Sequence, residues 1–158
     1  MRKIVMMLLM LSMALFLTGC RQAPVVTGEK NPPAATQGMD MDRYLANVQE
    51  QSAALKASLE KDSLTQTELN QKSGELADLW DGALAYLLEE AEKALSEAER
   101  AQLAADQKAW MESIQQAMDA AGKEFEGGSM YTLTVNLEAA ALTEARVTEL
   151  AEQLKTAK

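Results

Sequence analysis

From residue 40 to residue 158 the chain runs for 119 residues without a proline. A proline inside a helix removes a backbone hydrogen bond and clashes with the preceding turn, at a cost of about 3 kcal/mol, so a proline-free stretch is one in which helices can run unbroken. The same stretch is rich in Ala, Leu, Glu, Gln and Lys, which lose little on entering a helix, and its single Gly-Gly pair is Gly127-Gly128. An all-α fold is the class that fits, and the apolar spacing divides it into helices.

A first, weakly patterned helix is expected from about Met41 to Lys61, with Tyr44, Val48, Leu55 and Leu59 on or near one stripe and Asp62-Ser63 closing it. Thr65 to Glu68 has the capping-box pattern, after which Leu69, Leu76, Leu79, Trp80, Leu84, Leu87, Leu88 and Leu95 keep a helical period. Ser96 to Glu99 is a second capping box placed directly after Leu95, a tight turn that predicts antiparallel packing of helices two and three. Leu103, Trp110, Ile114, Ala117, Met118, Ala121 and Phe125 then recur at three- and four-residue steps up to Gly127-Gly128. Ser129 is placed to cap a last helix, whose buried stripe is Leu133, Leu137, Ala140, Val147, Leu150 and Leu154. The expected product is an up-and-down bundle of three long helices plus the amino-terminal one, spanning residues 40–158.

The other end of the chain is of a different kind. Arg2 and Lys3 precede an apolar run from Ile4 to Leu17, too short for a comfortable membrane span, so residues 1–19 read as a signal peptide. Leu17-Thr18-Gly19-Cys20 resembles a bacterial lipobox, which implies lipid on the Cys20 thiol and cleavage before it. Cys20 is the only cysteine, so the chain can form no internal disulfide. Two or more acyl chains give stable anchoring, so the mature protein is expected on a membrane, held by lipid and facing outward. Arg21 does not look like an inner-membrane retention signal, so in a two-membrane cell the outer membrane is expected. Residues 20–39 hold all three prolines, show no periodicity, and read as a disordered linker.

Without residues 1–19 the chain keeps 13 basic against 24 acidic side chains, a net charge of −11. That balance argues against nucleic acid or an anionic lipid surface as partner and favours encounter with a basic protein. The chain has no histidine, which removes the commonest general base and, with Cys20 lipidated, the usual zinc sites and thiol catalysis. No nucleophile elbow or phosphate-binding glycine loop is present. Glu89, Glu90 and Glu92 are clustered, but with Lys93 beside them they read as a solvated helix face. No enzyme activity, metal or cofactor is expected. Trp80 and Trp110 fall on apolar stripes and read as core, while Arg146 is placed to bury its stem and pair with a carboxylate such as Asp106 or Glu144.

Gln107, Trp110, Gly127-Gly128-Ser129, Asn136 and the run from Leu142 to Arg146 together resemble the LprI-type lysozyme inhibitor family, and the stretch from Leu76 to Leu103 with Tyr86 is similar to that family's first helix. The resemblance covers about 80 residues and implies an all-helical domain of cell-surface or periplasmic proteins whose named member inhibits lysozyme. Many members carry two cysteines where this chain has Met118 and the region of Glu138 to Ala140, and Ile114 stands near a family arginine. Trp110, Gly128, Ser129 and Arg146 match.

The resemblance points to a lipid-anchored inhibitor of a lysozyme or another cell-wall hydrolase. The loop from Lys123 to Tyr131 is the expected contact: Ser129 to hydrogen-bond a catalytic carboxylate, Lys123 to pair with one, and Tyr131 to supply contact area. The alternative is a structural or adaptor lipoprotein of the envelope whose bundle binds a partner other than a hydrolase.

Overall fold

The computed structural model describes residues 40–156; the signal peptide, Cys20 and linker expected before them lie outside the described residues. Four helices follow one another: α1, Met41–Leu59; α2, Gln66–Ala94; α3, Glu97–Gly122; and α4, Tyr131–Thr156, with a short 3-10 turn, Lys123–Phe125, after α3. Among the described residues there is no strand.

Local chemistry sets the helix starts. Thr65 and Glu68 close a complete capping box at the start of α2, and Ser96 and Glu99 close another at α3, each pair satisfying backbone N–H groups that the first turn leaves free. The backbone and hydroxyl bonds from Thr65 hold the Glu68 carboxyl below its usual range, and those from the Ser96 hydroxyl and backbone do the same for Glu99. At α1 the Asp40 carboxylate accepts from the Asp42 N–H at 3.0 Å.

The directions of the helices follow from contacts between side chains. Ser52 meets Trp80 and Tyr44 stacks on Tyr86, their ring centroids 4.1 Å apart, so α1 and α2 are antiparallel. Asn136 bonds Ser73, and Thr143 bonds Asp81, so α4 runs parallel to α2. Gln107 bonds Arg146, and Gly122 lies against Tyr131, so α3 is antiparallel to α4. The up-and-down order expected from the sequence is therefore correct.

The expected pairing of α2 with α3 is not. The most extensive packing is of α4 on α2, flanked by α1 on α2 and by α3 on α4. A two-residue joint at Leu95 and Ser96 reverses the chain without laying α3 along α2, and α4 takes that place. At the joint the Arg100 guanidinium donates to the Glu92 carbonyl at 3.1 Å; farther along, an open groove separates the two helices, lined by Leu88, Leu103, Ala104 and Met111 among others.

The core lies between α2 and α4. Leu76, Trp80, Leu84 and Leu87 from one, and Ala140, Val147, Leu150 and Leu154 from the other, are all buried. Val48 of α1 joins them, and Ser52 of α1 accepts from the Trp80 indole at 3.2 Å, so the polar edge of a buried tryptophan is satisfied. The weakly patterned helix is thus an integral part of the core. Two surface ion pairs also link it to α4, Lys56 with Glu144 at 2.6 Å and Lys155 with Asp42 at 3.2 Å.

Two residues expected in the core are exposed. Leu137 lies seven positions before Glu144, on the side of α4 that faces α1, but α1 ends at Leu59, just past the Lys56–Glu144 contact, so nothing of α1 extends to cover it. Phe125 lies beyond the last α-helical turn of α3, where the tighter 3-10 turn carries it off the stripe.

Because Glu68 and Glu99 have folded-state pKa values below the ordinary 4.5 of a glutamate, their stabilisation is present above that value and is lost as pH falls through the lower, folded ones. A Glu68→Gln, Glu99→Gln variant should therefore melt below the wild type at pH 7, and the gap should narrow as pH falls below 4.5. Thermal melts followed by circular dichroism across that range check it; a gap that does not change with pH would contradict it.

Candidate functional site

The loop between α3 and α4 is built as two consecutive turns. The α-helical part of α3 stops at Gly122, and the Lys123 N–H bonds the Ala120 carbonyl as the helix tightens. Glu126 then turns out of the helix, and Gly127 takes φ +75°, the one positive-φ glycine among the described residues. The Gly128 N–H reaches back to the Phe125 carbonyl at 2.8 Å, and the Tyr131 N–H to the Gly128 carbonyl at 3.3 Å. Gly127 is needed for its backbone angle, and at Gly128 a Cβ would make a tight contact, 3.1 Å from the Phe125 carbonyl oxygen.

Helix α4 starts one position later than the sequence suggests. The first helical bond is from the Thr134 N–H to the Met130 carbonyl at 3.0 Å, which makes Met130 and not Ser129 the capping residue. Among the described residues the Ser129 hydroxyl has no hydrogen-bond partner, and the side chain is exposed. The hydroxyl is available to a partner. Lys123 is exposed as well, and Tyr131 retains 38% of its surface.

Gly122 is a position that the sequence reading passed over. A Cβ on it would stand 2.5 Å from Tyr131 Cε2 and 2.9 Å from Val135 Cγ2, so the Tyr131 ring packs directly on the backbone of α3. That contact fixes the angle at which α4 leaves the loop and holds one face of Tyr131 while the rest faces solvent. The sequence signal was a glycine at the end of a helical pattern; that it served close approach could be known only once its neighbour was placed.

Apart from Gly127, Gly128 and Ser129, the residues that carry the family resemblance lie on the helices. Arg146 is 6% exposed; its Nε donates to the Gln107 side-chain oxygen Oε1 at 3.2 Å and its Nη1 to the Glu149 carboxylate at 2.8 Å, while Nη2 is buried with no hydrogen-bond partner among the described residues. The expected carboxylates are engaged differently: Glu144 pairs with Lys56, and Asp106 accepts from Gln102. Glu149 wins because it is three residues along the same helix, on the face of Arg146, whereas Glu144 points round towards α1. Asn136 donates to Ser73 Oγ at 3.1 Å and to the Asn70 carbonyl at 3.4 Å, and Trp110 packs, partly buried, against the core. Gln107, Trp110, Asn136 and Arg146 therefore tie α4 to its neighbours.

The acidic cluster on α2 is a solvated face. Glu89 and Glu90 both pair with Lys93, at 2.8 and 2.9 Å, and their hydrogen bonds hold the Lys93 ammonium above its usual range. Among the described residues no group of three or more acidic, histidine or cysteine side chains is placed to hold a metal ion.

Substituting Gly122 tests the close approach. Alanine there favours the helix by up to about 1 kcal/mol over glycine, but overpacking against Tyr131 and Val135 costs about 1–3 kcal/mol. Gly122→Ala should thus lower the melting temperature and change the near-ultraviolet dichroism of tyrosine; a stabilised variant with an unaltered spectrum would contradict the contact.

No curated protein and no solved structure matches the chain. The family model described as Lysozyme inhibitor LprI matches residues 49–150, from the middle of α1 almost to the end of α4. The match takes in the α3–α4 loop and the residues that hold α4 in place, and it extends the resemblance upstream into α1. The chain belongs to the LprI lysozyme inhibitor family.

Proposed function

We propose that the protein inhibits a lysozyme, or a cell-wall hydrolase of that kind, by binding it through the loop from Lys123 to Tyr131. The observation that carries this reading is the family match over residues 49–150. Charge supports it: the chain has a net charge of −9, and −11 without residues 1–19, which speeds encounter with a basic enzyme. The loop itself is neutral to weakly acidic, so charge brings the partners together and the loop makes the contact.

Placement supports it too. The chain enters the bundle at Asp40, and the Lys155–Asp42 pair puts that point beside the end of α4. The α3–α4 loop is at the opposite end, a helix length away, roughly 39 Å at about 1.5 Å per residue. In this reading Cys20 carries the lipid that holds the protein on the outer face of a membrane, the outer membrane if the cell has two, and the loop occupies the end of the domain remote from the entry of that tether.

The test is turbidity of a lysozyme-treated cell-wall suspension, with the purified protein produced from residue 21 onward so that it stays in solution. Clearing should slow at micromolar protein, and Lys123→Ala, Ser129→Ala and Tyr131→Ala should each weaken the effect without unfolding the bundle. Full clearing at saturating protein would sink the proposal, and capture of a non-hydrolase envelope protein would favour an adaptor instead. For the anchor, radiolabelled palmitate should be incorporated by the full chain and not by a Cys20→Ser variant; equal labelling of the two would exclude Cys20.

A further inference from the structure

We infer that the α3–α4 loop meets its partner through an apolar tip formed by Phe125, Met130 and Tyr131, edged by Glu124 and Glu126, and that it fits a cleft with an apolar floor and a cationic rim. The inference rests on the reading of this loop as the hydrolase-binding surface and names the residues and the chemistry of the contact.

Large apolar side chains that leave more than a third of their surface in water are sparse among the described residues. Among the described residues Met111, Phe125, Met130, Tyr131 and Leu137 stand out, and three of the five fall within seven consecutive positions at one end of the bundle, at 36%, 39% and 38% exposure. Phe125 and Met130 are not members of the buried core cluster, and each leaves more than a third of its surface uncovered. Turns ordinarily present glycine, asparagine, serine or charge to water. A concentration of exposed apolar side chains rimmed by polar ones is the usual mark of a contact surface.

The tip is also held in shape. The two turns closed on the Phe125 and Gly128 carbonyls fix the path from Phe125 to Tyr131, and the Tyr131 ring rests on Gly122. A surface ordered before binding loses less entropy on contact, and a tyrosine supplies area at the expense of few rotamers.

Charge selects the partner. Glu124 and Glu126 stand on either side of Phe125, both exposed, with Lys123 the one cation of the loop. An apolar tip with acidic edges is repelled by an anionic lipid surface and attracted by a cleft whose rim carries Lys or Arg. The occupant of this surface is therefore a cationic protein with a recessed apolar site, and not a membrane.

The test compares wild type with a Phe125→Ser, Met130→Ser double variant in the turbidity assay, with melting temperatures measured alongside. Wild-type protein should inhibit, and the double variant should need roughly tenfold more protein or worse, as expected for loss of central contact residues, at an unchanged melting temperature. A Phe125→Leu, Met130→Leu variant, which keeps the apolar surface, should retain inhibition. Equal inhibition by wild type and the serine variant overturns this inference and leaves the inhibitor reading standing; no inhibition by wild type removes both. Sedimentation of wild type, but not of the serine variant, with vesicles of phosphatidylethanolamine and phosphatidylglycerol would overturn the inference in favour of a lipid surface.

Discussion

Packing of α4 along α2 is the contact on which the rest of the molecule depends. It buries four large side chains of α2 against a row from α4, and each of the leucines and Val147 is worth about 1.5–3 kcal/mol when fully removed from water. The other two helices are additions to this pair. One, α1, packs on α2 and adds Val48 and Ser52 beside Trp80; the other, α3, packs on α4 and, of its own residues, fully buries Gly122 alone. Because α4 touches all three other elements, the direction it takes on leaving the α3–α4 loop decides the register of the whole bundle.

That gives the loop two roles that use different atoms. Its backbone and glycines serve the fold: Gly122 lets Tyr131 seat, Gly127 supplies the left-handed backbone, and Gly128 admits the Phe125 carbonyl. Its outward side chains, Lys123, Phe125, Ser129 and Met130, contribute nothing visible to the core. Two partly exposed large apolar side chains within six positions of one turn, set apart from the glycines that shape it, favour a contact surface as the account of the stretch. The family-matching residues divide along the same line. Gln107, Arg146 and Asn136 hold α4 in place, and so serve the loop by positioning the helix that emerges from it.

Much of the fold was legible in the sequence because it is set by neighbours in the chain. The capping boxes at Thr65 and Ser96 act over three residues, and the apolar stripes of α2 and α4 over three or four. What escaped depends on where a different helix ends or passes. Leu137 is exposed because α1 stops at Leu59, Phe125 because α3 tightens at Gly122, and Arg146 chooses Glu149 because Glu144 is turned towards Lys56. The two-residue joint after α2 dictated that the chain reverse, but whether α3 or α4 would lie on α2 is a contest between whole faces, and the broader apolar face of α4 prevails. Of the candidate site, the loop and its Lys123, Ser129 and Tyr131 could be named from the sequence, whereas the exposure of Phe125 and Met130 could not, since their residue types argue for burial.

Amide hydrogen exchange of the protein, alone and with lysozyme, tests the central claim most directly, because it shows where contact is made as well as whether it is. Residues 123–131 should exchange more slowly in the complex, while the α2–α3 groove around Leu103 and Met111 stays unchanged. Protection confined to that groove, or none at saturating enzyme, would contradict the account.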